Sequence, residues 1–201
     1  LKQLLLFEGS NQGMDMSLIS VHDGPSTANL VAYIAGIKLA KRAAEEDDPR
    51  PAYNMAGMLY LSPSGWLMLS VPSLLVRGIF EATAEPGIEL PPSFTRKTLE
   101  AHISVMSKDE VDLIGPEKIT ERGKQYHYSI GRSKTVDSPN WPGVDKVWYL
   151  TVHSPGLQSL RRSYGLSSLP HGGEYDFHIT YAIKRRGVLG RNDTSKVESS
   201  K

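Results

Sequence analysis

His102-Ile103-Ser104 and His178-Ile179-Thr180 are two copies of one short phrase, each set in an apolar stretch that reads as a strand. Successive strand side chains point to opposite faces, so each histidine shares a face with the hydroxyl two residues on, while the isoleucine between them enters a core. Two imidazoles and two hydroxyls meeting in one cleft would suit phosphodiester chemistry. Chance is a serious competitor, because serine and threonine make up about 15% of the chain and six histidines should yield roughly one accidental His-x-Ser/Thr. Three occur, the third being His127-Tyr128-Ser129, which lacks the isoleucine and is expected on a peripheral strand without a direct role.

Context separates the first two from the third. Met58 to Leu61, the turn Ser62-Pro63-Ser64-Gly65, and Trp66 to Val71 form an expected hairpin. Pro72 then opens a helix whose stripe is Leu74, Leu75, Ile79 and Phe80, and a loop from Ile88 to Phe94 leads into the strand of His102. Further on, Ser107-Lys108-Asp109-Glu110 caps a short helix that Gly115-Pro116 ends, and Gln125 to Ile130 alternates as a strand. After a loop from Asp137 to Gly143 come a buried strand, Lys146 to Val152, a helix opened by Ser154-Pro155, and the strand Tyr175 to Ile183 that holds His178. Trp66-Leu67-Met68-Leu69 and Trp148-Tyr149-Leu150-Thr151, each followed by a Pro-initiated helix, mark an internal repeat suited to a pseudo-twofold domain.

Around this core the chain divides into an N-terminal extension (1–51), a main domain (52–190) and a polar tail (191–201). Within the extension, Leu30, Ile34, Ile37 and Leu39 predict an amphipathic helix with Lys38, Lys41 and Arg42 toward its end, halted after Glu45 to Asp48 by Pro49 and Pro51. That helix is expected to pack on the main domain or on a protein partner, with a lid over the site as the other reading. His22 lies in a turn-like stretch and His153 is expected to cap or hydrogen-bond at a helix start.

Composition narrows the function classes. Lys and Arg total 23 against 22 Asp and Glu, so strong duplex nucleic-acid binding is not expected, although a small phosphorylated ligand is compatible. The chain has no cysteine, which removes thiolate nucleophiles and cysteine metal sites, and no two histidines stand at a helical i, i+4 metal spacing. No metal or cofactor is therefore expected. Apolar runs fall well short of the roughly 20 residues of a membrane span, and a cytoplasmic location is the default. His171, Tyr164 and Tyr175 flank the loop before the second phrase and are candidate substrate contacts, the tyrosines by stacking a base. Basic side chains cluster at Arg161-Arg162 and Lys184-Arg185-Arg186; most such runs are solvated surface, but Arg162 and Lys184 are candidates for holding an anionic substrate at the rim.

The paired phrases, each closing a strand, helix, strand unit, resemble the 2H phosphoesterase superfamily over roughly Met55 to Val188. Its members include bacterial 2′,5′ RNA ligase-like proteins, cyclic phosphodiesterases of RNA processing and phage anti-CBASS enzymes that degrade cyclic oligonucleotide signals. A Trp-bearing strand before the second helix, a long loop and Lys184-Arg185 after His178-Ile179-Thr180 agree with it. Serine in the first phrase, where threonine is commoner, and the late position of the first histidine depart from it. The resemblance implies a bilobal α+β fold with two antiparallel sheets around a central cleft, His102 and His178 as the acid-base pair, and Ser104 and Thr180 binding phosphate. It implies a phosphodiesterase acting without a metal on a cyclic phosphate, a 2′,5′ linkage or a cyclic oligonucleotide. Two other readings compete: a module that binds a nucleotide or RNA end without cleaving it, and an interaction protein in which both phrases are structural strands.

Overall fold

A computed structural model describes residues 31–39, 52–83, 85–92, 101–138 and 141–186. The expectations placed on residues 1–30 and 40–51, on Phe94 and on the polar tail lie outside the described residues. Helix α1 covers 31–39. Strands β1 (Ala52–Leu61) and β2 (Leu67–Ser70), helix α2 (Ser73–Thr83) and strands β3 (Ile88–Glu89) and β4 (His102–Met106) follow. Next come α3 (Lys108–Ile114), β5 (Gln125–Asp137), β6 (Val144–His153), α4 (Pro155–Ser163) and β7 (Phe177–Arg185).

All seven strands form one antiparallel sheet in the order β3-β7-β6-β5-β1-β2-β4. This corrects the expectation of two separate sheets. The cause is the length of β1: the part from Ala52 to Met58 pairs with β5, while Leu59 to Leu61 pair with β2, so one strand joins both wings. A second correction concerns the loop after α2, where Ile88 and Glu89 pair with Ile183 and Lys184 and extend the sheet beyond β7. A third concerns β5, the strand of His127-Tyr128-Ser129, which is the central strand of the sheet rather than a peripheral one.

Local chemistry fixes the turns and helix starts. In the β1–β2 hairpin the Ser62 hydroxyl accepts from the Trp66 amide, and Gly65 takes the left-handed conformation (φ 85°) that a side chain would resist. A full capping box starts α3: Ser107 accepts from the Glu110 amide, and the Glu110 carboxylate accepts from the Ser107 amide. Ser154 caps α4 by accepting from the Leu157 amide and also donates to the His127 carbonyl, so capping falls to Ser154 and not to exposed His153, which closes β6.

One apolar core runs under both wings, with Leu69, Ile103, Leu150, Phe177 and Ile179 almost fully buried. Each crossover helix lies against the other half's histidine strand: α2 packs on β7, and α4 packs on β4. The strands β4 and β7 also lie against one another, although they belong to different wings of the pairing pattern, β4 at one edge and β7 next to β3 at the other.

Helix α1 packs on α2, and its buried stripe is Ala32, Gly36 and Leu39, whereas Ile34, expected on that stripe, is exposed. Small residues decide the matter. A Cβ on Gly36 would meet the Leu75 carbonyl, and one on Gly78 would meet the Tyr33 carbonyl, so the two backbones approach too closely for larger side chains.

Candidate active site

Strands β4 and β7 repeat the same local geometry. Ile103 and Ile179 are fully buried, while His102, Ser104, His178 and Thr180 are partly exposed on the opposite face. The register gives the reason for the match. Ser70, Leu69 and Met68 of β2 stand opposite His102, Ile103 and Ser104; Thr151, Leu150 and Tyr149 of β6 stand opposite His178, Ile179 and Thr180. Immediately after each hydroxyl residue the register slips, leaving Val105 and Tyr181 as extra residues at equivalent places. Such bulges kink a strand and re-aim the side chains beside them. The internal repeat is thus one residue away from the tryptophan alignment expected from sequence: Leu67, not Trp66, corresponds to Trp148.

The repeat extends to a third strand in each half. A Cβ on Gly57 would come within 2.1 Å of the Ser70 carbonyl oxygen, and one on Gly131 within 2.4 Å of the Thr151 hydroxyl. Ser70 accepts from the Met58 amide, and Thr151 donates to the Arg132 carbonyl, the residue after the glycine in both cases. Each histidine is therefore backed by a hydroxyl residue, and each hydroxyl residue by a glycine that lets the strands close up.

His178 is held in a defined tautomer. Its Nδ1 lies 2.9 Å from the Asp176 carbonyl oxygen, which can only accept, so Nδ1 carries the proton and Nε2 is left as the acceptor in the neutral ring. Burial pushes its pKa below the usual 6.5; nearby His102 and His171 push the same way, while the Asp176 carbonyl and carboxylate act against them. The strands that carry the two histidines, β4 and β7, lie against one another, and His178 and Thr180 line a recess that His102 and Ser104 do not. Tyr149 meets the His178 ring edge-on at a centroid distance of 5.3 Å, and Lys134, 3.5 Å from the Asp176 carboxylate, braces the segment that orients His178.

A recess of about 230 Å³ opens beside His178 and Thr180. Val136, Trp141, Val147, Tyr149 and Tyr175 supply its apolar wall. His171 and Asp176 complete the side nearest His178. His171 has a left-handed backbone (φ 51°), rare for a residue with a side chain, and its ring meets Tyr175 edge-on at 5.3 Å.

Of the other sequence candidates, Tyr175 and His171 join the recess, and Tyr164, Arg162 and Lys184 do not line it. The Tyr164 hydroxyl donates to Glu121 and accepts from the Thr120 amide, anchoring α4 to the segment before β5. Arg162 is exposed and donates to the Ser159 hydroxyl, and Lys184 is exposed near the end of β7. Sequence reasoning missed Trp141, whose place in a Pro/Gly loop gave no sign that the β5–β6 hairpin would fold it toward His178. It also missed Arg161, half of an expected surface pair. Arg161 is fully buried: it donates to the Val105 carbonyl at 2.6 Å, to the Ser167 carbonyl at 2.8 Å and to both oxygens of Glu110. It ties the bulge beside Ser104 to α4 and to the capping box of α3. Among the described residues no group of three or more histidines and carboxylates stands close enough to hold a metal ion.

A family model described as 2H-SAK, Swiss Army Knife, 2H phosphoesterase domain, matches residues 65–189. The chain belongs to the 2H phosphoesterase superfamily. No curated protein and no solved structure matches it. The matched segment begins just before β2 and ends just after β7, so it contains both phrases, both crossover helices and the recess. A phosphodiesterase-type function follows from the family in general terms. No helix among the described residues is long and apolar enough to cross a membrane.

Proposed function

We propose that this protein hydrolyses a phosphodiester of a small nucleotide, a cyclic phosphate, a 2′,5′ linkage or a cyclic oligonucleotide, with His178 as general base and His102 as general acid. The observation that carries the reading is the equivalent placement of His102-Ser104 and His178-Thr180 on two adjoining strands, each followed by the same bulge. With Nδ1 tied to the Asp176 carbonyl and its pKa lowered by burial, His178 is neutral near pH 7 and offers Nε2 to a water molecule. The water oxygen attacks phosphorus, its proton passes to Nε2, and the leaving oxygen takes a proton from the His102 ring as its bond to phosphorus breaks. Ser104 and Thr180 donate to the non-bridging oxygens, where negative charge grows in the transition state.

Turnover of a panel of 2′,3′-cyclic phosphates, 2′,5′-linked dinucleotides and cyclic oligonucleotides, measured in the presence of EDTA, tests the proposal. Hydrolysis of at least one class is expected, with a loss on the order of 10² to 10⁴ in His102→Ala and in His178→Ala. No turnover of any, or turnover that survives in both variants, would overturn it.

A further inference from the structure

We propose that the recess beside His178 is a stacking subsite for one nucleobase, walled by Trp141 and Tyr175. This rests on the phosphodiesterase reading above. Six large apolar side chains are exposed among the described residues, and three of them, Val136 (44%), Trp141 (37%) and Tyr175 (52%), line this single recess. Isolated exposed apolar residues are ordinary, but a cluster at the mouth of a cleft marks a place where a ligand covers it. The occupant is set by continuity. His178 and Thr180 form part of the same wall, so a phosphate held by them directs a substituent into the recess. Aromatic rings from Trp141, Tyr149 and Tyr175 favour a flat, polarizable substituent, and the flat group of a nucleotide is its base.

Among the described residues the other half of the fold shows no counterpart. The position equivalent to Tyr149 is Met68, which is buried (6%) and accepts from the Tyr60 hydroxyl. The hairpin equivalent to the one bearing Val136 and Trp141 is the tight β1–β2 turn, closed by the Ser62 hydroxyl. Among the described residues, this aromatic wall stands on the His178 side. The Asp176 carboxylate faces Lys134, and Ser138, His171 and the tyrosine hydroxyls are further polar groups of the wall. Stacking tolerates any base, so the aromatic wall itself demands a base rather than a particular one.

The test compares adenosine 2′,3′-cyclic phosphate with methyl riboside 2′,3′-cyclic phosphate, which has no base, on the full chain, Trp141→Ala, Tyr175→Ala and, as a surface control on α3, Leu113→Ala. The expected result is that Trp141→Ala and Tyr175→Ala each lower the ratio of kcat/KM between the two substrates by about tenfold, through KM, while Leu113→Ala leaves the ratio unchanged. An unchanged ratio in both aromatic variants overturns the subsite even if both histidine variants are inactive. Should neither substrate turn over, calorimetric binding of adenosine 2′-monophosphate against ribose 2-phosphate decides the question. A preference for the nucleotide that Trp141→Ala abolishes supports the subsite while the hydrolytic reading fails, and equal binding of the two overturns it.

Discussion

The two halves of the sheet, β1-β2-α2-β4 and β5-β6-α4-β7, agree residue by residue where a phosphate would sit and diverge one strand away. Both place a His-Ile-Ser/Thr phrase opposite a hydroxyl-bearing neighbour, both bulge directly after it, and both set a glycine behind the hydroxyl. They part company at Met68 against Tyr149 and at the short hairpin against the long one. What a phosphodiester presents on both sides is a phosphate oxygen; what it presents unequally is its substituents. Duplication thus accounts for the shared machinery, and divergence accounts for the recess.

The largest expected effect breaks the symmetry of the histidines themselves. Both His102→Ala and His178→Ala should lose on the order of 10² to 10⁴ with an alkoxide leaving group. With a p-nitrophenyl ester, whose leaving oxygen needs no proton, His102→Ala should regain most of its rate and His178→Ala should not. Equal recovery in the two variants would remove the assignment of base and acid, and steady-state kinetics of the two esters is the measurement.

Next in size is Arg161, which gives the second half a buried charge where α2 buries Leu75, Val76 and Ile79. Removing one member of a buried pair leaves the other uncompensated, at about 3–5 kcal/mol, whereas replacing both with apolar groups of similar volume is often neutral. Arg161→Met should therefore lower the urea midpoint strongly, and adding Glu110→Leu should restore much of the loss. Glu110 is partly exposed, so Glu110→Gln alone should cost less than Arg161→Met. A double variant as unstable as the single one would show that the guanidinium acts mainly through the carbonyls of Val105 and Ser167.

Those cases show what the sequence could and could not disclose. The phrases at His102 and His178, the hairpin at Ser62 to Gly65 and the caps at Ser107 and Ser154 were legible because each rests on short-range chemistry: alternation, a turn glycine, a hydroxyl before a helix. Arg161 was not, because Arg161-Arg162 looks like solvated surface until α4 is laid on β4 and the Val105 carbonyl meets it. Trp141 was not, because its role depends on how a long hairpin curls over β7. The single sheet also escaped notice, since nothing local in Ala52 to Leu61 says that one strand will pair with two neighbours in succession.

A smaller effect separates the paired glycines. The Cβ of Gly57→Ala would meet backbone, the Ser70 carbonyl, which cannot step aside without moving β2. In Gly131→Ala the obstacle is the Thr151 hydroxyl, which a rotamer change can clear at the expense of its hydrogen bond to the Arg132 carbonyl. Gly57→Ala is expected to cost about 1–3 kcal/mol by overpacking and Gly131→Ala about 1 kcal/mol, read from denaturation midpoints. The reverse order would mean that β2 is the more yielding strand.

The smallest effect concerns pH and turns on Tyr149 against Met68. His178 must be neutral to accept a proton, and its folded pKa lies below 6.5, so the acid limb of kcat/KM should fall below pH 6.5. The sign for stability is the same: a histidine whose pKa is depressed on folding contributes stability that is present above the unfolded pKa and is lost as pH falls through the folded one. Tyr149 shields the His178 ring, so Tyr149→Ala should admit water, raise the pKa toward 6.5 and move the acid limb to higher pH. Measured with the base-free substrate, the shift is separable from loss of stacking, and rates above neutral pH should change little through this effect. Met68→Ala, at the equivalent place opposite Ser104, should leave the limb where it is. If both variants move the limb equally, burial of His178 by its own half is not what lowers its pKa, and the charges of His102 and His171 become the leading cause.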